Sequence, residues 1–359
     1  MNCCEEETPT FLKFHVRRQL PDMRIKLFRH TELQVHSSIL KEYSEFFFKF
    51  LDSPEKVESE DSEWKYDWVS EVEDDGEWHL VAKQNMAITL VYHLEKQTNG
   101  SQQPSLANND LNGKDADLQT RAFCFILNAM YRMTTAIQPR ALEAIVKMAD
   151  YYLCLPIVSY HVSACMWTNS DLLARRISKE PEYFIELAYI LRNKTLFREC
   201  AIHIAGHMKS QQSEPYGLIL YNGTFTGVTN PKILNVLKIM RERITTQLIQ
   251  TQMNVLISCA SDLNYLDILG TPIPQNITIP AYFRGLARDH QLQGLIKGLL
   301  ENHLLFNVNS LFEAGKLGSV GADHFYCGTL DDEELPWDMN ETDDLSEVSS
   351  HSPSKKRLL

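Results

Sequence analysis

Apolar residues recur along this chain at two periods, and the change between them divides it. Residues 21–28 (PDMRIKLF) alternate Met23, Ile25 and Leu27 against Arg24, Lys26 and Phe28, the period of a half-buried strand. Arg29 to Thr31 is a hairpin turn on this reading, with Glu32 to His36 as the returning strand. Ahead of the pair, Phe11 to Val16 (FLKFHV) reads as a short strand or a turn of helix. After Ser37-Ser38, which can cap a helix, Ile39, Leu40, Tyr43, Phe46, Phe47 and Phe50 form a single helical stripe. Two edge strands follow, WKYDWVSEV and EWHLV, joined by the turn EDDG at 73–76.

Helical spacing dominates from there on. Met86 to Glu95 reads as a helix, whereas Gln97 to Asp117 has no apolar period and reads as a flexible surface insertion. Ala122–Tyr131 and Ala141–Pro156 then pair as a helical hairpin. In the second, Leu142, Ile145, Val146, Ala149 and Leu153 share a face, and Leu155-Pro156 stops simple continuation. The hairpin covers the upstream strands. Residues 157–208 repeat the pattern in several helices, one opened by Pro181 and another ending near Gly206. A loop over 211–230 leads to the longest helix, opened by Pro231 and lined by Leu234, Leu237, Met240, Ile244, Leu248 and Val255. Pro272, Pro274 and Pro280 make 265–281 an extended connection, before a last helical region over 282–306.

These patterns predict an α+β fold in four parts. Residues 1–10 are a disordered N-terminus, 11–165 an α+β domain carrying the insertion 97–117, 166–320 an all-helical region, and 321–359 a disordered acidic tail. Asp331 to Glu347 holds nine acidic side chains and no basic one, which places it in solvent.

Composition removes several function classes. The 359 residues are 44% hydrophobic and carry a net charge of −12, so broad contact with nucleic acid or anionic lipid is not expected. MNCCEEETPT has no secretory pattern, and no apolar run reaches the roughly 18 residues of a membrane span. The expected location is cytoplasmic, nuclear or both. The cysteines at 3, 4, 124, 154, 165, 200, 259 and 327 contain no CxxC pair and read as free thiols in a reducing compartment.

Catalytic chemistry is hard to find. Phosphate-binding loops, dinucleotide fingerprints and nucleophile elbows are absent from the sequence. His203 and His207 share a helical face as in a zinc site, but Ile204 stands where a hydrolase holds Glu, and no third ligand suggests itself. The expectation is therefore two histidines on a packed or wetted helix, with no metal, no cofactor and no small-molecule substrate. At the C-terminus Ser352-Pro353 resembles a proline-directed phosphorylation site, and Lys355, Lys356 and Arg357 resemble a nuclear-import patch.

Asp22 before the first strand, VHSSIL at 35–40, Phe46-Phe47, Phe123, Leu127 and Tyr131, and Ala149-Asp150-Tyr151-Tyr152 with Leu155-Pro156 together resemble a BTB/POZ domain. The stretches at 68–76, 149–159 and 191–207 are similar to a group of BTB proteins from filamentous fungi. The resemblance implies a small mixed sheet covered by helical hairpins, with Asp22, His36, Phe123, Tyr131, Asp150 and Tyr151 as its fold or interface signature. It implies protein–protein association rather than catalysis, with self or a cullin of a ubiquitin ligase as partner. A nuclear, transcription-associated co-regulator is the other reading. Two residues depart from the family pattern. Ser37 follows the histidine where dimeric members carry Arg or Lys, so Asp22 must be exposed or hydrogen-bonded otherwise. Phe125 stands where cullin-binding members carry Glu.

Overall fold

The computed structural model describes residues 10–28, 31–52, 63–73, 76–83, 113–168, 170–208, 225, 227–261, 277–307 and 310–338. The fold is mixed α+β, with one five-stranded mixed sheet and eleven α-helices among those residues. The chain divides into two compact units, residues 1–169 and 170–359, four residues beyond the boundary that the helical pattern suggested.

The first unit carries the sheet. β1 (Thr10–Lys13), β2 (Met23–Leu27), β3 (Thr31–Val35), β4 (Tyr66–Val72) and β5 (Trp78–Ala82) lie in the order β1-β3-β2-β4-β5. β2 and β3 form the expected hairpin, with Ile25 opposite Leu33. β4 runs parallel to β2, with Ile25 opposite Trp68, which requires a crossover connection. Of the two strands expected at an edge, β4 is therefore interior and β5 lies at the edge opposite β1, because β2 leaves one side open to a parallel partner. Met23, Ile25, Leu27, Leu33 and Val35 are wholly buried, as the period of two demands. The opposite face is polar, where register sets Arg24 beside Asp67 in a two-pronged ion pair at 3.1 and 2.5 Å.

Between β3 and β4 there are two helices, α1 (Ser37–Tyr43) and α2 (Glu45–Leu51), where the apolar stripe suggested one. Ser44 breaks the run: its backbone is extended, and its hydroxyl accepts from Phe47 N at 3.2 Å as the cap of α2. The break turns α2, so that Phe47 is buried while Phe50 is exposed.

α3 (Gly113–Met130), α4 (Leu142–Tyr151) and α5 (Leu155–Met166) complete the unit. α3 starts inside the expected insertion, so residues 113–117 are helical; the rest of 97–117, and the helix expected over 86–95, lie outside the described residues. Leu142, Ile145, Val146 and Ala149 are buried as their spacing predicts. Leu153 is not. It adopts φ 51° just past α4, the Cys154 N–H returns to the Ala149 carbonyl at 2.8 Å, and its side chain is left 46% exposed.

The second unit contains α6 (Ser170–Ile177), α7 (Pro181–Ile190), α8 (Lys194–Gly206), α9 (Pro231–Ser261), α10 (Ile279–Leu286) and α11 (His290–Ile296). Leu237, Met240, Ile244, Leu248 and Val255 are buried along α9; Leu234 is half-buried. α10 begins inside the stretch expected to be extended, since Thr278 caps it and Pro280 suits a first turn. The region 282–306 is not one helix but α10, α11, a 3-10 turn over 297–300 and an irregular segment.

Residues 321–338 are ordered, contrary to the expected start of the tail. Phe325 and Tyr326 are wholly buried, and the acidic residues that follow are held by bases. Arg243 pairs with Glu334, while Arg198 and Lys194 reach Asp332 at 2.7 and 3.5 Å. Charge composition foretold solvation, but opposite charges on α8 and α9 dock this stretch. Residues 339–359 lie outside the described residues. Among the described residues, no helix is long and apolar enough to cross a membrane.

Candidate functional site

The first cluster sits where β3 enters α1. His36 is buried, and its backbone N–H donates to the Tyr131 hydroxyl at 2.7 Å, with its Nδ1 3.0 Å from the same oxygen. Burial pushes the Tyr131 phenol up to about 12, although the His36 N–H works against the rise, so the hydroxyl stays protonated. Asp22 answers the question raised by Ser37. One carboxylate oxygen accepts the Ser37 N–H at 2.7 Å, and the other accepts its hydroxyl at 2.6 Å. A neutral side chain thus satisfies the carboxylate, with two donors in place of a cation. Phe14 is buried beside this pair, its ring tilted against that of Tyr131 with centroids 4.7 Å apart.

The second feature of this unit is aromatic. Tyr152 is buried and stacks on Phe47 at 5.4 Å, with Phe123 at 5.5 Å against its edge. The Ser44 hydroxyl donates to the Tyr152 carbonyl at 2.6 Å, tying the α1–α2 break to the end of α4. Phe46 carries the cluster outward, meeting Phe50 at 4.8 Å and Tyr151 at 5.5 Å. Tyr151 is 49% exposed and Asp150 is also exposed, so these two signature residues lie on the surface while Phe123 lies in the core. Phe125 is buried, with its ring 4.9 Å from that of His161.

A third cluster lies in the second unit, and the sequence reading missed it. The end of α8 pairs with residues 323–325 as a short antiparallel bridge. Met208 N donates to Asp323 O at 2.8 Å, and Phe325 N donates to Gly206 O at 2.9 Å. Gly206 is required here, since a Cβ would come within 1.7 Å of the Phe325 carbonyl oxygen. The bridge sets His207 opposite His324, with rings stacked at 4.5 Å. Asp323 lies between them, 2.9 Å from His207 Nε2 and 2.6 Å from His324 Nδ1. Burial works to raise the Asp323 carboxyl, but the hydrogen bonds from both imidazoles outweigh it and hold it far below the usual carboxylate range.

His203 lies one turn before His207, with only 1% of its surface exposed. Its ring is edge-on to Phe312 at 5.1 Å and to Tyr326 at 5.5 Å, and 6.4 Å from His324. Neither ring nitrogen has a hydrogen-bond partner, and the Tyr326 hydroxyl has none either. Burial, aided by His324, drives His203 down to about 3, so the ring is neutral. The i, i+4 spacing flagged this helix, but the carboxylate and third histidine come from Asp323-His324, 116 residues beyond His207. The only local signal was the dipeptide itself.

The remaining candidates offer less. Burial pushes the Cys124, Cys154 and Cys327 thiols up to about 11, 12 and 11, which keeps them protonated. The six described cysteines are free. A cleft beside Trp337 has Arg192 and Lys232 on its walls together with Glu334 and Asp338, which gives it no single charge preference. Ser352, Lys355, Lys356 and Arg357 lie outside the described residues. Compared with protein-family models, curated proteins and solved structures, the chain gives no match.

Proposed function

We propose that this chain is a non-catalytic protein–protein association protein whose first unit is a BTB-type module. The topology supports the fold part of that reading: a hairpin, two short helices, a strand returning parallel to β2, and then a helical pair. The His36–Tyr131 tether joins two signature residues of the resemblance, and Ser37 satisfies Asp22 in place of the cation that dimeric members carry.

The observation that carries the functional part is β1. All four of its residues are exposed, Phe11 at 54%, and among the described residues it pairs only on its β3 side. An apolar edge strand with unpaired backbone groups is a template for another chain unless something covers it. The exposed Phe50 and Tyr151, joined through Phe46, add an aromatic surface of the kind that anchors protein contacts.

Light scattering of the purified chain and affinity capture with mass spectrometry test this together. Phe11→Glu with Leu12→Lys should abolish self-association or deplete the captured partners. Unchanged mass and an unchanged partner set would remove the reading. The cullin-adaptor version is the narrower one. Buried Phe125 stands at the position where the resemblance calls for Glu, so a cullin contact must be built from other residues. The co-regulator version rests on the acidic C-terminal segment, whose first part, 331–338, is engaged with Arg198 and Arg243.

A further inference from the structure

We propose that His207, Asp323 and His324 bind a divalent transition-metal ion, zinc being the ion their donors suit best. This does not depend on the association reading, since it concerns the second unit alone. Each residue offers one ligand atom, and the three atoms lie within 4.8 Å of one another. Two imidazole nitrogens and one carboxylate oxygen form a borderline-soft set, suited to zinc and, among its competitors, to cobalt, nickel or ferrous iron.

The site is built by the backbone. The bridge through Met208, Asp323, Gly206 and Phe325 fixes two of the ligands opposite each other before any ion arrives. All three side chains are part-exposed, which leaves an ion a way in. Around a tetrahedral zinc, ligand atoms at about 2.0–2.2 Å stand roughly 3.4 Å apart. His207 Nε2 now lies 2.9 Å from Asp323 Oδ2, and His324 Nδ1 lies 2.6 Å from Oδ1. The three ligand atoms lie within 4.8 Å of one another, so side-chain shifts of about an ångström bring them to one ion. Each imidazole then turns the nitrogen now facing Asp323 to the ion and carries its proton on the other ring nitrogen. No redox step is involved.

His203 supplies an independent observation. A buried neutral imidazole with both nitrogens unpartnered, beside an unpartnered tyrosine hydroxyl, is expensive to keep unless something polar is present to meet it. Three protein ligands leave a fourth position on zinc for water. His203 and Tyr326 lie against His324, with ring centroids 6.4 and 5.6 Å from its own, and an ion-bound water is the kind of group their polar atoms lack.

The test uses the full chain, stripped by a chelator and titrated with Zn2+ against a chromogenic competitor, and with Co2+ followed by visible absorption. One ion per chain is expected, with Kd below about 1 µM and a four-coordinate Co2+ spectrum lacking thiolate bands. Asp323→Asn and His324→Gln should each weaken binding by about 100-fold or more, and His303→Gln, elsewhere on the unit, should not. Absence of stoichiometric binding, or binding that survives both ligand substitutions, overturns the proposal. Should either variant fail to fold, X-ray absorption of the zinc-loaded wild-type chain decides. A shell of nitrogen and oxygen with two imidazoles supports the assignment, and a shell with sulfur or without imidazole overturns it.

Discussion

The two units bury polar side chains on opposite terms. At the β3–α1 turn of the first, Asp22, Ser37, His36 and Tyr131 pair with one another, and the hydrogen bonds close on themselves. In the second, His203 and the Tyr326 hydroxyl are buried with no partner among the described residues. The Glu199 carboxyl is buried where the backbone N–H groups of Leu305 and Phe306 meet it, but no cation among the described residues pairs with it. A satisfied cluster fixes a backbone turn and asks for nothing more. An unsatisfied one is a reservoir of free energy that a bound ion, a proton or a conformational change can draw on. The contrast is why the fold signature is read from the first unit and the ligand site from the second.

The largest effect should come from the lid of the first unit. Tyr152→Ala removes the ring that stacks on Phe47 and meets Phe123 at its edge, and should lower stability by roughly 4 kcal/mol in denaturant unfolding, the range for deleting a buried aromatic ring. Hydrogen exchange should rise across α2, α3 and α4. If exchange rises equally in the second unit, the two do not answer separately and the comparison fails.

Next comes the bridge that assembles the histidines. Gly206→Ala drives a methyl into the Phe325 carbonyl and should cost about 3 kcal/mol through forced backbone separation. It should also abolish tight zinc binding, a readout that Tyr152→Ala should leave unchanged.

Glu199 gives the second unit a pH dependence. Burial pushes its carboxyl up to about 7 from the ordinary 4.5, although the Leu305 and Phe306 N–H groups pull the other way. The native state therefore keeps a proton that the unfolded chain has lost. The resulting stability is full below pH 4.5 and is lost as pH rises through 7, in total on the order of 3 kcal/mol. His203 has the opposite sign: its share is full above 6.5 and is lost as pH falls towards about 3. The difference between wild type and Glu199→Gln cancels the histidine, and that difference should follow the carboxylate window alone. A flat difference from pH 4.5 to 7 would mean that Glu199 is not protonated in the native state.

The smallest effect belongs to the satisfied cluster. Ser37→Ala removes one of the two donors to Asp22 and leaves the backbone N–H, so the loss should be about 1 to 2 kcal/mol. Ser37→Arg tests the same site from the other side. If the arginine restores stability and promotes dimers by light scattering, the serine is a substitute for a cation; if it destabilises, the turn has been rebuilt around a neutral donor.

Local order in the sequence determined a good deal of this protein. The alternation of Met23, Ile25 and Leu27 fixes the β2 faces, and the spacing along α8 and α9 fixes which residues are buried, because each depends only on neighbours a few positions away. Positions that interrupt a pattern were illegible for the same reason. Ser44 splits one apolar stripe into α1 and α2 because its hydroxyl reaches the Tyr152 carbonyl, a partner 108 residues later. Leu153 leaves its stripe because the C-terminal turn of α4 forces a left-handed backbone there. The segment 331–338 reads as acidic and solvated until Arg198, Lys194 and Arg243 are brought beside it. The His207–Asp323–His324 cluster lies furthest beyond local reading. Sequence order says nothing about which loop returns to the end of α8, and only the close approach at Gly206 joins those three side chains.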